Sequence, residues 1–320
     1  MNAERVIADL RDLASRTSTP EGAQRLAWGP VWRDAREWFK GKITGLGLRI
    51  DTDSAGNNWV TLPGASPKTV IVGSHLDSVP NGGWIDGCLG VMAALEALRL
   101  HARTTPPVTL KLVDWGDEEG ARFGRSLLGS AAAAGSLKVE EVRELTDRQG
   151  TRLVDALAEN GVALDRMLDA HRELKAIDAR AYLELHIEQG PVLESLQKPT
   201  GVVLGSFGVE RHTIRFTGQA AHSGSTPIPM RRDAFLAAAE TALACRDIAL
   251  RHSKPGPGQN VVCTVVKPAI NVTYAFSASY SIDCAGVSPW LVARPSLPKC
   301  VSRCTCVSMR PGRMVRPRRS

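Results

Sequence analysis

Three short apolar runs along the chain each end in residues that can bind a metal. Residues 70–72, 108–113 and 181–187 have the apolar character of buried β-strands. His75 and Asp77 follow the first run, an acidic cluster follows the second, and His186 lies at the end of the third. Sites in open α/β sheets are built at the carboxyl ends of strands, so these side chains indicate one functional edge.

The stretch after the first run carries the most informative residues. His75 offers an imidazole, and Asp77 lies two residues on, where it could hold the second ring nitrogen. A glycine-rich loop then leads to Asp86, whose two oxygens suit a bridge between two cations, before a helix predicted to end near residue 101. A capped turn with solvated acids would explain this stretch equally well.

The other two strand ends leave similar alternatives. Glu118 and Glu119 are adjacent, and paired carboxylates repel unless a cation compensates or one of them serves as a base. A solvated acidic turn is the simpler interpretation. Glu184, His186 and Glu188 share one face of a strand by their period of two, where a single histidine is more often structural.

The remaining pattern predicts an α/β fold with a second, smaller domain. Helices are expected at residues 2–15 and 28–46, strands at 48–52 and 58–62, and mostly helical structure over 126–170. After residue 206 the order is strand, helix, strand, strand, with the last two strands expected at 260–266 and 270–283. We therefore expect a larger domain with a mixed sheet covered by helices (1–205), a small α+β domain (206–283) and a basic tail (284–320).

Charge and hydropathy narrow the class of protein. The formal net charge is +7, but residues 284–320 contain eight Lys or Arg and no acid, so residues 1–283 carry 32 basic and 33 acidic side chains. Nucleic-acid binding is therefore not expected of the main body. No run approaches the ~20 apolar residues of a membrane span, and the charged N-terminus is unlike a signal peptide. We expect a cytoplasmic protein without a membrane partner.

Five motifs together resemble a known family of enzymes. They are Gly73-Ser-His-Leu-Asp-Ser, Gly82-Gly-Trp-Ile-Asp-Gly, Glu118-Glu-Gly-Ala-Arg-Phe, Glu184-Leu-His-Ile-Glu-Gln-Gly-Pro and Ala221-His-Ser-Gly-Ser-Thr-Pro. Over roughly residues 5–272 the chain resembles the dinuclear-metal amidohydrolases, which include N-carbamoyl-L-amino-acid hydrolase, allantoate amidohydrolase and β-ureidopropionase. The resemblance implies a zinc-exopeptidase-like catalytic domain and a lid domain that also forms a homodimer.

The resemblance also implies a role for each site residue. Two divalent ions per subunit, zinc or manganese, would be bound by His75 and His186 separately, bridged by Asp86 and completed by Glu119. Glu118 would be the general base and Asp77 an outer partner of the metal site. Gln189, His222 and Asn271 would contact the substrate.

The pattern changes beyond Asn271. Family members carry Asn-Val-Ile-Pro there and later Asp-x-Arg, whereas this chain has Asn271-Val-Thr-Tyr and Asp283-Cys-Ala, and no histidine follows His252. We expect that the tail is out-of-frame translation, that the catalytic sheet lacks its last strand, and that the chain as written is poorly folded and inactive. A genuine basic tail is the alternative.

The expected function is hydrolysis of a linear ureido or amide C–N bond. The small-molecule substrate is expected to be an N-carbamoyl-L-amino acid, with allantoate as the alternative. A peptidase or deacylase of the same clan, an inactive truncated remnant, and nucleic-acid binding through the tail are the competing hypotheses.

Overall fold

The computed structural model describes residues 1–203 and 214–253 in full. It also describes the backbone of the strands at 208–213, 262–273, 275–286 and 304–309. The chain divides into two compact units, residues 1–203 with 294–320, and residues 204–293. None of the described helices is long and apolar enough to cross a membrane.

Unit 1 is built on a mixed sheet covered by helices, as the sequence predicts. Its elements up to residue 203 are α1 Ala3–Thr17, β1 Ser18–Thr19, β2 Gly22–Ala23, α2 Pro30–Thr44, β3 Ile50–Thr52, β4 Asn58–Leu62, β5 Thr69–His75, α3 Cys88–His101, β6 Thr109–Trp115, α4 Leu128–Ala134, α5 Val139–Val142, α6 Leu153–Glu159, α7 Asp169–Lys175, β7 Ala179–Ile187, α8 Val192–Ser195 and β8 Thr200–Val202. The order of the first five sheet strands is β3-β4-β6-β5-β7.

The parallel centre of this sheet brings the predicted strand ends to one edge. β5 pairs in parallel with β6 on one side and β7 on the other, while β4 runs antiparallel to β6. The apolar runs are buried: Leu112 and Val113 of β6 are wholly inaccessible, and Ile71 of β5 is nearly so. Burial on both faces requires continuous apolar sequence, and this is why these strands could be located from their pattern.

Helices α1, α2 and α3 cover one face of the sheet. Their inward residues form a single apolar core with the sheet, and it includes Leu13, Phe39, Leu95 and Leu112. An ionic network joins the outer surfaces: Asp9 of α1 accepts from Lys42 of α2 at 2.9 Å and from Arg99 of α3 at 2.6 Å. The packing fixes α3, whose first residue follows the loop that carries Asp86.

Residues 126–170, which were predicted to be mostly helical, contain short helices separated by turns. Gly135 and Gly161 follow α4 and α6 with φ of +74° and +76°, a left-handed conformation that ends a helix. Gly150, with φ +85°, lies in a turn where its N–H donates to the carbonyl of Asp147. The short helices α4, α6 and α7 form a second apolar core, which also contains Trp28 and Trp32. Because these helices are short, the region is stabilised by the packing of their apolar side chains in this core.

Unit 2 contains β9 Gly208–Thr217, α9 Ala234–His252, β10 Val262–Thr273 and β11 Ala275–Gly286. Its antiparallel sheet has the order β10-β11-β9. β10 ends at Thr273 and β11 begins at Ala275, whereas the sequence predicted strands at 260–266 and 270–283. The role of this unit as a lid and dimer interface stays a prediction.

One further strand, β12 Cys304–Met309, lies within the predicted tail. It pairs in parallel with β7 and antiparallel with β8. The edge of the sheet beside β7, expected to lack a strand, is therefore occupied by β12. The description of residues 284–320 as an aberrant tail stays a prediction.

Candidate metal centre

The ends of β5 and β7 place two histidines side by side. His75 is the last residue of β5 and His186 the penultimate residue of β7, two strands that pair in parallel. Their rings stack with centroids 5.9 Å apart. Asp86 completes the group, because the loop before α3 returns to this edge, and ligand atoms of the three residues lie within 4.8 Å of one another.

The hydrogen bonds of His186 leave a lone pair facing a carboxylate. Its Nδ1 lies 2.8 Å from the carbonyl oxygen of Ile187 and, since a carbonyl only accepts, Nδ1 donates. In the neutral ring Nε2 is then an acceptor, and it lies 3.2 Å from Asp86 Oδ1. That buried oxygen makes no hydrogen bond with any described residue. Two acceptors facing each other fit a divalent cation between them.

His75 is held in the same way by Asp77. Its Nδ1 lies 3.1 Å from the Asp77 carbonyl oxygen and 3.4 Å from Asp77 Oδ1, so Nε2 faces the site. Burial opposes the charged imidazolium, but the hydrogen bond and charge of Asp77 and the charges of Glu118 and Glu119 raise the pKa of His75 well above its ordinary value. The role of Asp77 as an outer partner of the metal site stays a prediction.

The adjacent glutamates lie on a loop that Asp77 also holds. The backbone N–H groups of Glu118 and Glu119 donate to the two oxygens of Asp77 at 3.2 and 3.0 Å. Glu118 Oε2 lies 3.6 Å from His75 Nε2. Glu119 lies outside the group of three ligands within 4.8 Å, so its role as a terminal ligand stays a prediction.

Several carboxylates lie close together at this edge of the sheet. Burial, with the charges of Asp86, Glu118 and Asp77, raises the pKa of Glu119 to about 7, although His75 opposes this. Burial and the charges of Asp77 and Glu184 likewise raise the pKa of Glu118, against His75 and His186. Carboxylates that destabilise one another's charge in this way are stabilised by a bound cation.

The three predicted substrate contacts have different outcomes. Gln189 lies next to the three candidate ligands His75, Asp86 and His186, and its side-chain amide donates to Asp86 Oδ2. His222 belongs to unit 2 and is exposed, and its Nδ1 accepts from the N–H groups of Gly224 and Ser225 at 3.1 and 3.0 Å. Asn271 lies in β10, and its side chain is outside the described residues.

Sequence interpretation missed a hydrogen-bonded chain next to the group. Tyr182 OH accepts from Trp115 Nε1 at 2.9 Å and donates to Glu184 Oε2 at 2.8 Å. The other oxygen of Glu184 accepts from Ser74 Oγ. The period-two face of β7 indicated Glu184, and Tyr182 lies on the same strand. Ser74 of β5 and Trp115 of β6 could not be paired with them from the sequence.

Gly87 limits the position of the His75 ring, and a prediction follows. Gly87 has φ +63°, and a Cβ added there would lie 2.4 Å from Cε1 of His75. We therefore expect Gly87→Ala to displace the imidazole and lower zinc affinity by ~10–100-fold, the usual cost of losing ligand orientation. Competition with a chromogenic chelator measures this affinity.

Gly83→Ala is the matched control for this experiment. It lies in the same loop, and its added Cβ would come no closer than 3.7 Å to Asp86 Cβ, an ordinary contact. Equal zinc affinities for the two variants would contradict the predicted role of Gly87.

Comparisons with known proteins find matches over most of the chain. The model of peptidase family M20/M25/M40 matches residues 71–305. The chain is 36% identical over 244 residues to N-carbamoyl-L-amino-acid amidohydrolase of Paenarthrobacter aurescens, covering 74% of this chain and 58% of that protein. It is 33% identical over 269 residues to allantoate amidohydrolase of Escherichia coli, covering 82% of this chain and 64% of that protein.

A solved structure extends the likeness to the fold. A hydantoinase/carbamoylase family amidase from Burkholderia ambifaria superposes with a TM-score of 0.70 at 32% identity, covering 89% of this chain and 70% of that one. The chain spans less than two thirds of the length of both curated relatives: 58% of the Paenarthrobacter aurescens protein and 64% of the Escherichia coli protein. The motifs, the metal group and these matches together show that the chain belongs to peptidase family M20/M25/M40 and, within it, to the hydantoinase/carbamoylase family.

Proposed function

We propose that the protein is a metal-dependent hydrolase of linear ureido C–N bonds, with N-carbamoyl-L-amino acids as substrates. The group of His75, Asp86 and His186, with Glu118 beside it, is the observation that carries the proposal. The names of relatives such as the Paenarthrobacter aurescens enzyme support the substrate class.

The proposed centre holds two divalent ions, zinc or manganese. His75 and His186 each present Nε2 to the site. Asp86 has a ligand atom within 4.8 Å of both rings and one oxygen that makes no hydrogen bond with a described residue. Glu119 supplies the additional carboxylate. When bound, such ions lower the pKa of a water molecule and polarise the substrate carbonyl.

The general base of the proposed reaction is Glu118. Its carboxylate lies beside His75 Nε2 and is about one-third exposed, so it can reach both a water at the site and a substrate. Glu118 accepts a proton from the attacking water and returns it to the leaving nitrogen. Burial, with the charges of Asp77 and Glu184, keeps the pKa of Glu118 above its ordinary value, and this favours acceptance of the proton from water.

Unit 2 contributes to substrate binding in this proposal. Nδ1 of His222 accepts two backbone hydrogen bonds, so the neutral ring carries its proton on Nε2. That N–H is suited to donate to the oxyanion that develops during hydrolysis. Gln189 and Asn271 bind other polar groups of the substrate, and the active form is a homodimer.

Allantoate is the second candidate substrate, favoured by the match to the Escherichia coli enzyme. The test is turnover of N-carbamoyl-L-amino acids, allantoate and N-acetyl-L-amino acids by the zinc- or manganese-loaded protein. We expect the carbamoyl compounds to be hydrolysed fastest. Faster hydrolysis of allantoate than of the carbamoyl compounds would identify allantoate as the substrate. Faster hydrolysis of the acetyl compounds would contradict the proposed specificity for ureido bonds.

A further inference from the structure

The backbone between two site residues is held by a buried carboxylate on the neighbouring strand. Leu76 follows the last residue of β5 and lies between His75 and Asp77. Its N–H donates to Asp114 Oδ1 at 2.9 Å. Asp114 belongs to β6, pairs in register with Ser74, and has an inaccessible side chain.

The other oxygen of this carboxylate is held by α2. Arg36 Nε lies 2.8 Å from Asp114 Oδ2, and Asn58 Nδ2 donates to the same oxygen at 3.3 Å. Arg36 also donates to the Gly56 carbonyl at 2.7 Å, and its guanidinium lies 4.0 Å from the centroid of the Trp32 ring. Asp114 is therefore fixed from α2, β4 and β5 at once.

Stability alone explains this buried pair poorly. Removing two charges from water costs free energy that their attraction often fails to recover, and apolar residues of similar volume can replace such pairs without loss. Burial raises the pKa of Asp114 and lowers that of Arg36, while each charge opposes the effect on the other. What apolar residues cannot supply is an acceptor for Leu76.

That acceptor matters because Leu76 lies between residues that orient the site. Asp77 holds His75 Nδ1 and accepts from the backbone of Glu118 and Glu119. A rotation of the backbone at Leu76 would therefore move His75 and the glutamate loop together.

We propose that Asp114 is a positioning residue: its carboxylate, held by Arg36, fixes the backbone at Leu76 and so orients His75 and Asp77 around the metal centre. The inference rests on the proposed metal-dependent function. Asp114 itself does not touch the metal group or the substrate.

Two double variants separate positioning from stability. Arg36→Met/Asp114→Asn removes both charges but keeps a side-chain oxygen that can accept from Leu76. Arg36→Met/Asp114→Leu removes the charges and the acceptor. Neither variant leaves a buried charge unpaired, so both are expected to fold; should the Leu variant fail to fold, Arg36→Met/Asp114→Ala gives the same comparison.

The measurements are zinc affinity by chelator competition and the visible spectrum of the Co²⁺-loaded protein. We expect the Asn double variant to match the wild type in both. The Leu double variant should bind zinc ~10–100-fold more weakly, the usual effect of losing an outer partner of a metal site, and give an altered Co²⁺ spectrum.

The outcomes distinguish this inference from the proposed function. Equal affinity and equal spectra in the two double variants would overturn the role of Asp114 alone, provided that the wild type binds metal. A wild-type protein that binds neither zinc nor Co²⁺ would overturn the proposed function and this inference together.

Discussion

Asp86→Ala is expected to abolish binding of both metal ions at once. The Asp86 carboxylate lies beside His186 Nε2 within the group of three ligands, and its Oδ1 makes no hydrogen bond with a described residue. In the proposed centre Asp86 bridges both ions, so its removal would leave one ion with a single histidine and the other with a histidine and Glu119. Affinity should fall by more than the roughly 10–100-fold caused by losing an outer partner.

Elemental analysis after dialysis against zinc measures the effect. Asp9→Ala is the matched control, because Asp9 is equally buried, at 6% exposed, but pairs with Lys42 and Arg99 on the helices. The control should keep its metal. If Asp86→Ala retained one ion per chain at wild-type affinity, the bridging role would be wrong.

Glu118→Gln is expected to reduce turnover by ~10²–10⁴-fold, the usual contribution of a positioned general base. The amide keeps the shape of the carboxylate but cannot accept the proton from water. Metal content should stay at the wild-type level, because Glu118 is the proposed base and Glu119 the proposed ligand. Steady-state hydrolysis of an N-carbamoyl-L-amino acid, with metal content measured on the same sample, checks both expectations.

Glu119→Gln separates the roles of the two adjacent glutamates. If Glu119 is a ligand, this variant should lose metal affinity, and added zinc should restore part of its turnover. Near-normal turnover of Glu118→Gln would assign the base to another residue. Loss of metal from Glu118→Gln, but not from Glu119→Gln, would make Glu118 the ligand and Glu119 the base.

The sequence located the strands that carry the site but could not order them in the sheet. The apolar runs ending at His75 and His186 matched β5 and β7 because strands buried on both faces need continuous apolar residues. That β5 and β7 are parallel neighbours depends on the order of the whole sheet. Only the family resemblance assigned both histidines to one centre.

Local geometry at the site was also hidden from the sequence. Asp114 is one of several acids at a strand end, and sequence alone does not show which of them is buried against Arg36 and Leu76. Gly87 was predicted only as part of a flexible loop, whereas the structure requires its positive φ and its close approach to His75. The short helices over 126–170 depend on tertiary packing, which periodicity does not reveal.

The most direct test of the metal centre is an anomalous-difference X-ray map of the zinc-loaded protein. The predicted result is two peaks, one between His75 and Asp86 and one between Asp86 and His186, with Glu119 at one of them. No peak at these residues, or zinc bound only elsewhere on the chain, would contradict the account.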